Sequence, residues 1–138
     1  MNEVVVDASA AIGWCFHDRM SPASVAAIAR LRTGTVLVPA VFFFEVANAL
    51  VVAQRRGVIA PADADSFVNL LESLRIVVDR QGIHRACHEL REIATAQRLT
   101  VYDASYLQLA MRSAASIATR DGPLRDASLR VGLTLFNE

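Results

Sequence analysis

Three short, unbroken apolar runs constrain this chain more than anything else in it: Val4-Val5-Val6, Val36-Leu37-Val38 and Ile76-Val77-Val78. A strand with one wet face alternates apolar and polar residues, whereas an unalternating run reads as a strand buried on both faces, the usual situation in a parallel sheet covered by helices. The stretches between the runs carry helical spacing. Ala11, Ile12, Cys15 and Phe16 follow the first run, and Ser21-Pro22 then opens a helix bearing Val25, Ile28 and Leu31 that ends near Gly34. Pro39 opens a helix from about Ala40 to Arg56, closed by two arginines and Gly57, and Pro61 opens another with Phe67, Leu70, Leu71 and Leu74 on one face. Ile83, Cys87, Leu90, Ile93 and Ala94 predict a long amphipathic helix, and Leu107, Ala110, Met111 and Ala114 a further one. Ser116–Thr119 and Leu133–Phe136 read as closing strands around a short helix at Leu124–Leu129. Short apolar strands alternating with helices predict an α/β fold with a mostly parallel central sheet.

With 138 residues and no repeat or linker, a single domain over residues 1–138 is expected. Hydrophobic residues make up 54% and charged ones 20%, which excludes disorder and predicts an unusually apolar surface. The most membrane-like stretch, Val36 to Ala53, is interrupted by Pro39, Glu45 and Asn48. A carboxylate at the centre of a spanning helix costs about 2.5–3.5 kcal/mol, so no membrane association is expected. The N-terminus lacks a basic region and meets Asp7 early, and Cys15 and Cys87 stand far apart outside any CxxC motif. Reduced thiols and a cytoplasmic location are the expectation. All 14 basic residues are arginine, which excludes any mechanism built on a catalytic lysine.

In open parallel sheets, ligands sit beyond the carboxyl ends of the strands. Asp7 directly follows the first strand and Asp121 the strand at Ser116–Thr119, so both project from one sheet edge. Asp103 lies in the first turn of its helix, just after Thr100. Each aspartate also fits a plainer role: Asp7 and Asp121 as helix N-caps, and Thr100-Val101-Tyr102-Asp103 as a capping box. Glu45 resists that explanation, because it stands mid-helix among Phe42, Phe43, Phe44, Val46 and Ala47. A buried carboxylate there must neutralise, pair with an arginine or bind metal. Four acids in one cleft would repel one another unless cations compensated them. Carboxylate oxygens suit Mg²⁺ or Mn²⁺, with waters and substrate phosphate completing the coordination. The implied chemistry is metal-assisted phosphodiester hydrolysis.

Val4-Val5-Val6-Asp7-Ala8-Ser9, Phe44-Glu45-Val46-Ala47-Asn48-Ala49-Leu50, Tyr102-Asp103-Ala104-Ser105-Tyr106-Leu107 and Thr119-Arg120-Asp121 together resemble, in order and spacing, the motifs of PIN-domain ribonucleases, above all the VapC-type toxins of bacterial toxin–antitoxin pairs. The likeness runs from about residue 3 to residue 136. It implies a PIN-like three-layer α/β/α sandwich, a Mg²⁺- or Mn²⁺-dependent endoribonuclease, silencing by a cognate antitoxin, and a homodimer. Carried over position by position, Asp7, Glu45, Asp103 and Asp121 are the catalytic and metal-binding quartet, with Ser9 and Thr119 supplying supporting hydroxyls. Ala8 departs from the pattern, standing where many members carry serine or threonine. Asn48 is three residues beyond Glu45 on the same helical face, within reach of a carboxylate or substrate.

Zero net charge counts against an RNA partner. If metal offsets the quartet, however, fourteen arginines face ten other acids and leave a remainder of +4. Arg120 beside Asp121, and Arg125 one turn on, are the candidate substrate contacts; each also fits an ordinary surface position. Asp126 reads as a solvent-facing helical aspartate. His84 and His88 have the i, i+4 spacing of a metal site, but they share a face with Arg91 and Glu92, and His88-Glu89-Leu90-Arg91-Glu92 is not HExxH. The Phe42–Phe44 triplet is expected in the core, with Trp14 and Phe16 helping to form an antitoxin groove. The rival reading is a PIN-like RNA- or protein-binding module without activity. A response-regulator receiver is excluded by the missing lysine and acidic pair, and a haloacid-dehalogenase phosphatase by the absence of DxD.

Overall fold

The structure is a computed structural model and describes residues 3–14 and 22–136. The apolar runs become β1 (Glu3–Val6), β2 (Thr35–Pro39) and β3 (Ile76–Asp79), and a shorter β4 (Ser116–Ala118) completes the sheet in the order β3-β2-β1-β4. Every neighbouring pair is parallel, with Val5 opposite Leu37 on one side and Ile117 on the other. The central strands are apolar on both faces because both faces are covered: Val4, Val5, Val6, Val36, Leu37 and Val38 are all buried. β3 differs. It lies at the sheet edge, where cover is incomplete, and Val77 is exposed despite the unbroken run.

The helices are α1 (Ala8–Ile12), α2 (Pro22–Arg32), α3 (Phe42–Arg55), α4 (Pro61–Glu72), α5 (Arg91–Gln97), α6 (Val101–Ser113) and α7 (Gly122–Arg130). The chain steps from β1 to β2 to β3 in one direction and then returns past β1 to β4. Right-handed crossovers therefore place α1–α4 on one face of the sheet and α5 and α6 on the other. The packing agrees: α1 lies against α3, while α6 lies across β1 and β2 and packs against α5 and α7. The result is a three-layer α/β/α sandwich. Phe42, Val46, Leu50 and Phe67 fill one interlayer space, and Leu107, Ala110, Ile117 and Leu124 fill the other. The return past β1 creates a topological switch point at the carboxyl ends of β1 and β4, the place where ligands of open α/β sheets bind.

Several expectations are corrected. Pro39 ends β2 rather than opening a helix, so α3 starts at Phe42 and Glu45 falls in its first turn instead of its middle. Of the phenylalanine triplet, Phe42 alone is core, while Phe43 and Phe44 are exposed, because successive helical residues point in different directions. The long helix expected at 83–94 is a 3₁₀ turn (Gln81–Arg85), a π turn (Ala86–Leu90) and then α5. That change of winding breaks the 3.6-residue stripe and leaves Ile83 and Cys87 exposed. The last strand contracts to a bridge between Ile117 and Leu135, reinforced by Phe136 N–H to Ile117 C=O at 2.9 Å. Trp14 is buried edge-on against Phe136, with ring centres 6.1 Å apart, so it is a core residue and not part of an exposed groove. Cys15, Phe16, His17 and the Ser21 cap lie outside the described residues. No helix among the described residues is long and apolar enough to cross a membrane.

Candidate active site

Asp7 stands where β1 ends, and α1 begins on its side chain: Oδ1 accepts from the Ala10 N–H at 2.8 Å. The capping role expected of this residue is real, yet it engages one oxygen. Ser9 Oγ donates to that same Oδ1 at 2.7 Å, and Thr119 Oγ1, from the loop after β4, donates to Oδ2. Thr119 Oγ1 in turn accepts from the Asp121 N–H at 3.0 Å, and Ser9 Oγ accepts from the Arg120 N–H at 2.9 Å. The two strand ends at the switch point are therefore tied together through two hydroxyls and one carboxylate. Asp121 caps α7 through Oδ2 on the Leu124 N–H at 2.9 Å. Thr100 caps α6 by accepting from the Asp103 N–H at 3.1 Å, which places Asp103 in the first turn of that helix.

These acids face one another. Burial pushes the Asp7 carboxyl above the ordinary aspartate range, against the pull of its three hydrogen-bond donors, and the charge on Asp121 pushes it further. Asp103 is raised by burial and then by the charges of Asp121 and Asp7. Glu45 is raised by burial and by the charge of Asp103, while Tyr106 pulls it back by donating from Oη to Oε1 at 2.6 Å. All four acids are thus within electrostatic reach of at least one other, with Asp103 as the common neighbour. Among the described residues none of them forms an ion pair with arginine.

Asp79 provides an internal contrast. It ends β3 at the same sheet edge, but Arg112 grips it through two hydrogen bonds of 3.2 and 2.7 Å. Although burial works in the other direction, the Arg112 guanidinium holds the Asp79 carboxyl below its usual range. Asp79 is what a structural carboxylate looks like at this edge. The other four lack such a partner.

Among the described residues, no three side chains of His, Cys, Asp or Glu close round a point as a ready-made metal cage. A hard cation of the Mg²⁺ type does not require one, because it keeps several waters and is held by one or two carboxylates together with substrate phosphate. The donor set fits such an ion: all-oxygen, mutually repelling, and without a competing guanidinium.

Of the other residues singled out from sequence, Ser9 and Thr119 lie within the network. Asn48 is exposed on α3 and makes no hydrogen bond to the carboxylates; Arg125 and Asp126 are exposed on α7, and His84 and His88 are exposed as expected. Tyr106 was missed as a functional candidate. Its signal was present, since it lies three residues beyond Asp103 on the same helical face and a buried phenol needs a partner.

The raised carboxylates carry an expected result for the metal-free protein. Their folded-state pKa values exceed the unfolded ones, so their contribution to stability is fully present below the ordinary carboxylate range and is lost as pH rises through the raised values. In the presence of chelator, the melting temperature should fall as pH rises above the ordinary carboxylate range. Asp103→Asn should flatten that fall and raise the neutral-pH value by a few degrees at most, because the group is half exposed and partly screened. Thermal scans across pH check this, and an identical pH profile in the variant would contradict it.

A family model described as PIN domain matches residues 4–128. Among solved structures, PAE2754 from Pyrobaculum aerophilum is 26% identical, with a TM-score of 0.70 over 91% of this chain and 79% of that one. FitAcB from Neisseria gonorrhoeae is 16% identical, with a TM-score of 0.61 over 97% and 96% of the two chains, a likeness of fold alone. No curated protein matches the chain.

Proposed function

The chain belongs to the PIN domain family, and from that premise we propose that it is a Mg²⁺- or Mn²⁺-dependent endoribonuclease, the toxin of a VapC-type toxin–antitoxin pair, which hydrolyses RNA phosphodiester bonds. PIN domains are generally nucleases, and a hydrolase is the coarser assignment. The observation that carries the finer reading is the contrast at the sheet edge. Asp79 is paired with arginine, whereas Asp7, Glu45, Asp103 and Asp121 crowd one another with no cation among the described residues. Keeping four such groups together costs stability unless a cation joins them.

Asp7, Asp103 and Asp121, with Glu45 at the rim, would hold the ion. When bound, it supplies a water of lowered pKa and neutralises charge developing on the phosphate. The chain's own contribution is orientation. Ser9 and Thr119 fix both oxygens of Asp7, the Ala10 and Leu124 N–H groups hold Asp7 and Asp121, and Tyr106 fixes Glu45. Asp103 and Asp121 are half-buried, so solvent reaches the acids on that side.

Incubating the purified protein with total RNA tests the reading. Cleavage should appear with Mg²⁺ or Mn²⁺, stop with chelator and return when metal is added back. If RNA survives in every metal, the nuclease assignment fails; absence of Mn²⁺ binding heat as well would favour an inactive binding module. For the toxin role, expression of the chain alone should arrest growth, with rescue by a small protein encoded beside it.

The expected homodimer has a candidate surface. Val41, Phe44, Ile83, Leu90, Val101 and Tyr102 line an apolar groove of about 330 Å³ that Asp79 also borders, and Phe44, one of its walls, is 78% exposed. An apolar patch of this kind is the usual mark of an interface. Phe44→Asp should convert a dimer to a monomer in light scattering while leaving the melting temperature of the protomer near its starting value. A variant that stays dimeric would place the interface elsewhere.

A further inference from the structure

Two segments that bring acids to the pocket also wall a second cavity. Gln97 and Arg98 end α5, and the chain runs from them through Leu99 and Thr100 to Asp103, while Pro123 follows Asp121 in the first turn of α7. With Asp126 and Arg130 from later turns of α7, these residues line an open polar cavity of about 500 Å³. The step from Asp121 to Pro123 spans at most about 7 Å of chain, so the cavity borders the acids at that end. Its two cations are set differently. Arg130 stands one turn beyond Asp126, the spacing of an ordinary helical ion pair, yet its guanidinium turns to Gln97 instead. Nε donates to the Gln97 side-chain oxygen at 3.0 Å and Nη2 to its backbone carbonyl at 3.3 Å. That grip uses one edge of the fork and leaves the Nη1–Nη2 end open. The Arg98 side chain forms no hydrogen bond or ion pair among the described residues. Its backbone is left-handed, at φ 57° and ψ 45°, a conformation that suits glycine. Packing therefore does not account for arginine at this position, and the backbone argues against it.

We propose that Arg98 and Arg130 form a phosphate-binding cleft that holds the backbone of the RNA strand beside the acidic pocket. The proposal rests on the nuclease reading above and deepens it by naming where the charge of the substrate is held. Four ionised carboxylates outweigh one divalent ion, so a polyanion entering the pocket needs cations close by and outside the metal's own ligands. The open end of a guanidinium fork matches two phosphate oxygens, and an arginine already anchored through its other edge loses less freedom on binding. Contacts of this kind fix the register of a strand and read no base. Asp126, the acid in the same cavity, opposes the phosphate and sets a limit on the affinity.

Fluorescence anisotropy of a labelled single-stranded RNA in chelator tests this, because binding is then read without cleavage. Arg98→Gly and Arg130→Ala should each weaken binding about tenfold, by the same factor for RNAs of different sequence. Each should also reduce the slope of log K against log salt by about 0.7, the increment for one phosphate contact on a single strand. Arg130→Lys should keep the slope and recover part of the affinity. Asp126→Asn should act in the opposite direction and tighten binding by about two- to threefold, the effect of removing a screened like charge. A folding defect does not reproduce this pattern. Arg98→Gly gives the left-handed position its preferred residue and should melt at or above the wild-type temperature. Ala114→Gly, the same exchange at the left-handed end of α6, should do likewise and leave RNA binding untouched. Unchanged affinity and salt slope in either arginine variant, weaker binding by Asp126→Asn, or an equal loss in Ala114→Gly would overturn the proposal. RNA bound with this arginine dependence but never cut in metal would instead fail the nuclease reading and leave the cleft standing. RNA cut by both arginine variants with the wild-type KM would fail the cleft alone. A chain that binds no RNA at all would overturn both.

Discussion

Asp7→Asn should abolish RNA cleavage, by about 10³-fold or more, and leave the protein folded. The chemical loss follows from what the group would hold. Charge stabilisation by a bound divalent ion is worth several kcal/mol in the transition state, and each 1.36 kcal/mol is a factor of ten in rate. The fold survives because of what Asn keeps. Its amide oxygen still accepts from the Ala10 N–H, so α1 remains capped, and it still accepts from Ser9 Oγ. The amide nitrogen then faces Thr119, whose hydroxyl can accept as well as donate. Burial had pushed the wild-type carboxyl upward, and a neutral group removes that burden together with the repulsion from Asp121. In chelator, Asp7→Asn should melt at or near the wild-type temperature, and Asp103→Asn somewhat higher. The informative pattern is opposite signs, with activity gone and stability kept, as expected of groups retained for chemistry at some expense to the fold. Single-turnover cleavage with matched thermal melts measures both. Undiminished cleavage by Asp7→Asn and by Asp103→Asn would remove the proposed site altogether.

The layout behind that prediction was largely legible in the residues, and the reasons are physical. A strand buried on both faces has to be apolar throughout, so Val4–Val6 and Val36–Val38 announced the sheet centre, and the residue after each strand announced the sheet edge. Capping and clustering stand as alternatives for Asp7 and Asp121 in the residues alone; both do cap a helix, and because a carboxylate has two oxygens and a cap uses one, capping does not keep either from feeling the charge of a neighbouring acid. What stayed hidden depended on other parts of the chain. The exposure of Val77 follows from its edge position, which the run itself does not encode. The 3₁₀ and π winding at Gln81–Leu90 overrides a spacing that reads as regular α-helix. The late start of α3 moves Glu45 from the middle of a helix to its first turn and turns Phe44 outward.

Tyr106→Phe should weaken Mn²⁺ binding by about 10–100-fold although the phenol touches no metal position, because removal of a group that orients a ligand typically has an effect of that size. Tyr106 is buried at 1% exposure, and its hydroxyl donates to Glu45 Oε1 at 2.6 Å. Burial and then the neighbouring Glu45 carboxylate push its own ionisation far above the normal phenol value, so it remains a neutral donor at every working pH. Among the described residues it is the hydrogen-bond partner of Glu45, a carboxylate already strained by burial and by Asp103. Without the hydroxyl, Glu45 loses the contact that aims one oxygen and favours its charged form, and it is free to turn toward solvent from the first turn of α3. The ring stays, so the core cluster to which it belongs keeps its volume and the stability loss should be confined to about 1–3 kcal/mol. A general packing defect would act whether or not Glu45 is present, and this separates positioning from mere structure. In a Glu45→Gln background the same tyrosine change should alter Mn²⁺ affinity little further, a coupling that titration calorimetry on the four proteins of the cycle reads directly. If the tyrosine effect is as large without the glutamate as with it, Tyr106 supports the fold and not the site.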